Sequence, residues 1–227
     1  EGAVCYMAAR NLDAADRIAN ELNQQGCHVK SVYNDASKPE SFLTMIEDVV
    51  QAEGRLDVLV NNFGTSDPRK DLDFLQTEIT DYLDIVTLNL RSVYMASQAA
   101  VKHMSKQGGG SIINISSVGG LVPDISQVAY GTSKAAINYL TKLIAVHEAS
   151  HNIRCNAVLP GMTATEAVEN NLSEEFRNLF LRHIPLKRMG LPEEIADKPE
   201  LPALQRDCPF LWRARDHRAG FAGCGAL

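Results

Sequence analysis

Tryptophan occurs once in these 227 residues, and aromatic residues together make up only 6%. No apolar run approaches the roughly 20 residues of a membrane-spanning helix, so no membrane partner is expected. A basic surplus is missing as well. There are 22 Lys and Arg against 28 Asp and Glu, a net charge of −6, with a pI near 5.5. That balance argues against a nucleic-acid partner, since phosphate-backbone binding needs concentrated cations. The five cysteines, at positions 5, 27, 155, 208 and 224, are odd in number and form no CxxC pair. They read as reduced thiols in the cytoplasm, with neither a disulfide frame nor a metal site. Glu1-Gly2-Ala3 opens the chain with neither Met nor a charged-then-apolar signal segment. The apolar fraction of 45% and charged fraction of 22% are ordinary for a globular protein, and the length suits one domain.

What is present alternates. Ala3 to Ala9 is a short apolar run fit for a buried strand, and Leu12 to Gln25 follows at helical spacing with Gly26 as its stop. Val29 to Tyr33 and Leu56 to Val60 are further strand candidates, separated by an amphipathic stretch from Glu40 to Gly54. Asp81 to Lys106 is a long helix ending at Gly108-Gly109-Gly110. Ser111 to Ser117 is a strand by its β-branched content. Ala129 to Ser150 is another helix, and Ile153 to Leu159 a last strand closed by Pro160-Gly161. Alternation with short loops predicts an α/β fold, a doubly wound parallel sheet of Rossmann type. Both ends depart from that pattern. A first strand, glycine-rich turn and helix, roughly 30 residues, are expected before Glu1, and their loss would split the sheet and weaken cofactor binding. From Asp197 to Leu227 periodicity disappears, so the domain is placed at 1–196 and an atypical, out-of-frame or disordered tail at 197–227.

The chemistry centres on Tyr130-Gly-Thr-Ser-Lys134, preceded thirteen positions earlier by Ser117. Residues four apart share a helix face, so Tyr130 and Lys134 point into one cleft. A phenol with a pKa near 10 is a poor base, and an ammonium beside it favours the phenolate. Ser117, at a strand end, stands where open α/β sheets place ligands, its hydroxyl available to a carbonyl oxygen. A second motif, His147-Glu148-Ala149-Ser150-His151, matches the HExxH pattern of zinc proteases. It sits at a helix end, where polar residues are ordinary, and no third ligand is clearly placed, although Glu166 and Glu169 are available.

Several blocks occur in one order: NNFG at 61–64, Asn89 in LNLRS, SIINISS ending at Ser117, YGTSK, IRCNAVLPGMTAT at 153–165, and RMGLPEEIA at 188–196. In this the chain resembles the short-chain dehydrogenase/reductase family from Gly2 to about Ala196. The resemblance implies that Ser117 holds the substrate oxygen, Tyr130 transfers its proton, Lys134 lowers the tyrosine pKa and grips the nicotinamide ribose, and Asn89 holds a water leading to solvent. It implies that Pro160, Gly161 and Met162 contact the nicotinamide, with Thr163 or Thr165 near the carboxamide and phosphates. Asn61 and Gly64 would lie against the adenosine half, and Asp35 with Ala36 at the adenine. Ala9-Arg10 stands where an acidic residue would hold the ribose of NAD. A guanidinium there welcomes a 2′-phosphate, so NADP(H) is the expected cofactor.

Stretches such as GGLVPDISQVAYGTSKAAINYLT and NNLSEEFRNLFLRHIPLKRMGLPEEIA are similar to the bacterial NADP-dependent 7α-hydroxysteroid dehydrogenases within that family. That branch implies a bile-acid substrate and, by family habit, a homotetramer. Leu121, Val122, Ile125 and Val128, with Phe176, Leu179, Phe180 and Leu181, are candidates to line a steroid-sized pocket. Three alternatives stand beside this reading. One is reduction of a 3-oxoacyl thioester on acyl carrier protein, for which Lys187-Arg188 offers a small basic patch. Another is a non-catalytic binding protein on the same fold. The third is a truncated chain without activity.

Overall fold

A computed structural model describes residues 2–171, 173–182, 184–196 and 214–216. Strand β1 (Val4–Ala9) runs into helix α1 (Leu12–Gln24), capped by Asn11, whose side chain accepts the amide of Ala14 at 3.1 Å. Strand β2 (His28–Tyr33) and helix α2 (Ser41–Glu53) follow. Gly54 ends α2 with φ 73, a left-handed turn that glycine adopts without side-chain strain. Then come strand β3 (Val58–Asn61), helix α3 (Ile79–Met104), strand β4 (Gly110–Ile115), helix α4 (Val128–His147) and strand β5 (Ile153–Leu159). Short helices α5 (Glu166–Asn171), α6 (Glu174–Leu181) and α7 (Pro192–Ala196) close the sequence-regular part.

All ladders are parallel. β1 pairs with β2, while β3, β4, β5 and β6 (Ala214–Asp216) form a second sheet in that order. Among the described residues no ladder joins β1 to β3. β6 is a departure from expectation, because three residues of the stretch assigned no regular structure extend the sheet beside β5. The rest of the 197–227 stretch lies outside the described residues.

One core joins the two sheets. Val32 of β2, Phe42, Met45, Ile46 and Val49 of α2, Leu59 of β3, Ala96, Ala99, Ala100 and Met104 of α3, and Ile112, Ile153 and Cys155 belong to a single buried apolar cluster. Helix α1 buries Ala15 and Ala19 elsewhere, against β1 and β2. Of the boundaries that differ from the sequence expectation, two have evident local reasons. β3 starts at Val58 rather than Leu56, because the amide and carbonyl of Leu56 are taken by the Gln107 side chain at 3.0 and 2.6 Å. α4 stops at His147 and tightens into a 3-10 turn (Ala149–His151). Among the described residues no helix is long and apolar enough to cross a membrane.

Candidate active site

In a parallel sheet every strand ends on the same edge, and that edge gathers most of the singled-out residues. Arg10 follows β1, Asp35 and Ala36 follow β2, Asn61 ends β3 and the loop to Gly64 follows it, Ser117 follows β4, and Pro160 to Thr163 follow β5. Backbone bonds tie the last two together: Ser116 N–H donates to the Val158 carbonyl at 2.8 Å and Val118 N–H to that of Pro160 at 3.0 Å.

Ser117 caps a 3-10 turn (Val118–Gly120), its hydroxyl oxygen accepting the amide of Gly119 at 3.1 Å. Tyr130 and Lys134 stand one turn apart on α4, with the Lys134 ammonium 5.5 Å from the centre of the Tyr130 ring. Lys134 is only 3% exposed, and Nζ donates to the Ile115 carbonyl at 2.8 Å. Ser116 Oγ donates to the carbonyl of Lys134 at 3.1 Å, pinning α4 to the end of β4. Gly120 completes the join, since a Cβ there would fall 2.7 Å from the Lys134 carbonyl carbon and 2.8 Å from the Ala135 nitrogen.

Burial dominates the ionisation of both groups. The Tyr130 phenol is raised above its ordinary value by burial, and a hydrogen bond with Ser117 works against that rise. Burial lowers the Lys134 ammonium to about 8. The geometry therefore differs from the expected depression of the phenol by its neighbouring cation. The ammonium spends its hydrogen bond on a backbone carbonyl, and withdrawal from water penalises both charged forms.

Asn89 is fully buried. Its Oδ1 accepts the amide of Thr65 at 2.8 Å, and its Nδ2 donates to the Thr65 carbonyl and to Ser133 Oγ, both at 3.0 Å. It thus ties the loop after β3 to α4. That loop passes close to Lys134, where a Cβ on Gly64 would lie 3.0 Å from Nζ. Gly64 accordingly stands at the Lys134 end of the site. Asn61 turns inward, donating to Ser97 Oγ at 3.0 Å and Asn114 Oδ1 at 2.8 Å. A buried amide must be bonded, so its side chain serves the sheet and leaves only its backbone to the edge. Asn114 continues the network to Thr141 and to Cys155, whose thiol burial pushes up to about 12.

At the far end, Arg10 is exposed and near enough to help, as a minor cause, to hold the Asp35 carboxyl low. Hydrogen bonds from the Ser37 hydroxyl and amide are the larger causes. The Ala36 carbonyl accepts from Arg91 at 3.1 Å. Thr163 bridges to Gly190 and donates to the Gly161 carbonyl at 3.1 Å. Thr165 instead accepts the Val168 amide at 3.3 Å, at the start of α5. Leu121, Val122 and Ile125, between Ser117 and Tyr130, are exposed, and Leu179 of α6 is too, while Val128 and Leu181 are half-buried. Phe176 and Phe180 lie outside the described side chains. The HExxH motif is taken apart by the helix end, and His151 Nδ1 pairs with Glu148 at 2.9 Å. Among the described residues no three potential metal ligands converge.

Sequence reasoning passed over Asp71, which is 1% exposed and bonded to the first turn of α4. Its setting, DPRKDLD, reads as a solvated charge run. The available signal was the absence of Ser, Thr, Asp or Asn at position 127, immediately before α4.

A family model described as enoyl-(acyl carrier protein) reductase matches residues 1–198. The chain is 47% identical over 197 residues to a 7alpha-hydroxysteroid dehydrogenase of Clostridium sardiniense, covering 87% of this chain and 75% of that protein. It is 35% identical over 196 residues to a 3-oxoacyl-[acyl-carrier-protein] reductase of Thermotoga maritima, covering 86% and 78%. Among solved structures, a 7alpha-hydroxysteroid dehydrogenase complexed with NADH and 7-oxo glycochenodeoxycholic acid superposes with a TM-score of 0.80 at 29% identity. The match covers 87% of this chain and 76% of that one.

Proposed function

The chain belongs to the short-chain dehydrogenase/reductase family, and from that membership we propose that it interconverts a secondary alcohol and a ketone with NADP(H), its substrate being a 7-hydroxy or 7-oxo bile acid. The observation that carries the reading is the meeting of Ser117, Tyr130 and Lys134 at the strand-end edge, with the phenol and ammonium on one helix face. The edge fits a dinucleotide in its donor set: an exposed guanidinium at Arg10, an ammonium at Lys134, and a loop at 160–163 where Gly161 leaves open space. When bound, the nicotinamide supplies or accepts the hydride.

The chain's own part is proton management. Ser117 donates to the substrate oxygen and orients it. Tyr130, whose phenol burial keeps protonated, gives its proton to the oxygen as the ketone is reduced. For oxidation it must first lose that proton, so the alcohol direction gains rate as pH rises. Lys134 holds positive charge beside the phenol, and Asn89 fixes the loop facing it. Arg10 selects the 2′-phosphate, and exposed Leu121, Val122 and Ile125 offer apolar cover for a steroid.

The 3-oxoacyl thioester reading rests on the relative named above and on Lys187-Arg188. However, Arg188 is engaged by Glu194 at 2.7 Å and Lys187 by the Arg182 carbonyl at 2.7 Å, which leaves little free cation for an acidic carrier. A non-catalytic role is disfavoured because Ser117, Tyr130 and Lys134 are all present. We further propose a homotetramer, assembled through the outward faces of α3 and α4 with exposed Leu83, Tyr94, Tyr139 and Val146. We place the enzyme in the cytoplasm, which suits the free thiols of Cys5, Cys27 and Cys155. Oxidation of NADPH, followed by absorbance with 7-oxo bile acid and with acetoacetyl thioester side by side, tests the reading. Turnover of the bile acid is expected, lost in Tyr130→Phe by about 10² to 10⁴-fold with the fold retained. Turnover of the thioester alone overturns the steroid assignment.

A further inference from the structure

Among the described residues two charged side chains are buried, Lys134 and Asp71. Lys134 belongs to the site already described. Asp71 lies in the loop between β3 and α3, beside the exposed residues Pro68, Arg69 and Lys70. Its neighbouring cations are engaged elsewhere, Arg69 with Asp67 at 3.1 Å and Lys70 with Asp81 at 3.0 Å. The carboxylate instead accepts two backbone amides, Ala129 N–H on Oδ1 and Tyr130 N–H on Oδ2, both at 2.8 Å.

That contact is unusual in where it comes from. The residue preceding α4, Gln127, makes no side-chain capping bond and is held left-handed at φ 63, ψ 49. A helix start leaves its first amides without internal partners. Here all three are met by the remote loop: Val128 N–H donates to the Leu72 carbonyl at 3.3 Å, and the next two donate to Asp71. A buried carboxylate is costly unless it is fully bonded, and a negative charge at a helix N-terminus is favourable. A local Ser or Asn at position 127 would cap more cheaply, but it would not tie the start of α4 to a second element.

We propose that Asp71 is a positioning residue, which sets where the Tyr130 phenol stands relative to Ser117 and Lys134; this rests on the role given to Tyr130 above. The backbone of Tyr130 is gripped on both sides. Asp71 holds its amide, and Ser133 Oγ donates to its carbonyl at 2.7 Å while itself accepting from Asn89. Without the carboxylate the first turn of α4 loses its outer hold while the rest of the helix stays packed on α3 and β5.

The test is steady-state reduction of a 7-oxo bile acid by NADPH with Asp71→Ala, Asp71→Asn and Tyr130→Phe in the full-length enzyme, together with NADPH binding by fluorescence quenching. Asp71→Ala should lower kcat about 10²-fold, the order that small misplacement of a catalytic group costs, with NADPH affinity within about twofold. Asp71→Asn, with one accepting oxygen in place of two, should recover about tenfold of that loss. Unchanged kcat in Asp71→Ala, or a parallel fall of kcat and NADPH affinity in Asp71→Asn, overturns the proposal. Should the alanine variant fail to fold, the asparagine variant decides alone by the same split. Retained activity in Tyr130→Phe would instead remove the reading beneath it.

Discussion

Lys134 is held as an ammonium in a place that penalises charge. Its pKa of about 8, against an ordinary 10.5, means that the folded chain gives up this proton before the unfolded chain does. Between those two values the unfolded state binds more protons, so stability rises with pH across that window, and below about 8 the full penalty is present. Replacing Lys134 with Met removes the charge and keeps much of the stem's volume. The variant should therefore melt several degrees higher than the parent at pH 7 by calorimetry, an advantage that shrinks as pH approaches 10. It should also lose turnover. A lower melting point at pH 7 would show that the bond to the Ile115 carbonyl outweighs the cost of burial. Tension of this kind, stability given up where charge is needed, is common at working sites.

At the scale of elements, the site depends on how closely α4 approaches the turn after β4. Gly120 faces the backbone of α4 at Lys134 and Ala135, and neither atom can rotate away as a side chain would. Gly120→Ala should thus push α4 outward, costing about 1–3 kcal/mol in denaturant unfolding and lowering kcat through displacement of Tyr130 and Lys134. Unchanged stability would mean that the turn relaxes freely. The existence of the elements from β1 to β5 was legible from sequence, because periodicity of 3.6 or a short apolar run between glycines specifies it locally, whereas α5, α7 and β6 went unread. The ends were less so. The start of β3 was decided by Gln107, fifty-one residues away, and α4 stopped three residues before its periodicity did.

For the whole molecule, α3 and α4 lie side by side and send Leu83, Tyr94, Tyr139 and Val146 to the surface. Scattered apolar residues are normal, but two exposed tyrosines on paired helices mark the face that the proposed tetramer would bury about a twofold axis. The double variant Tyr94→Glu with Tyr139→Glu should sediment as a smaller species than the parent in ultracentrifugation, with its circular dichroism unchanged. An unshifted sedimentation coefficient would place the subunit contact elsewhere. The division of the sheet into β2-β1 and β3 to β6 also belongs to this scale, because among the described residues the shared cluster under α2 and α3 joins them.

The amino-acid sequence determined by itself the alternation of strands and helices, the parallel topology, and the pairing of Tyr130 with Lys134. Each follows from local periodicity or from a spacing of one helical turn. Only the tertiary structure decided that Asn61 turns into the sheet, that Lys134 bonds a carbonyl in preference to lowering its neighbour's pKa, and that a carboxylate from another loop begins α4. Those outcomes depend on which groups lose water together, and burial is a property of the packed chain that no short window of residues contains.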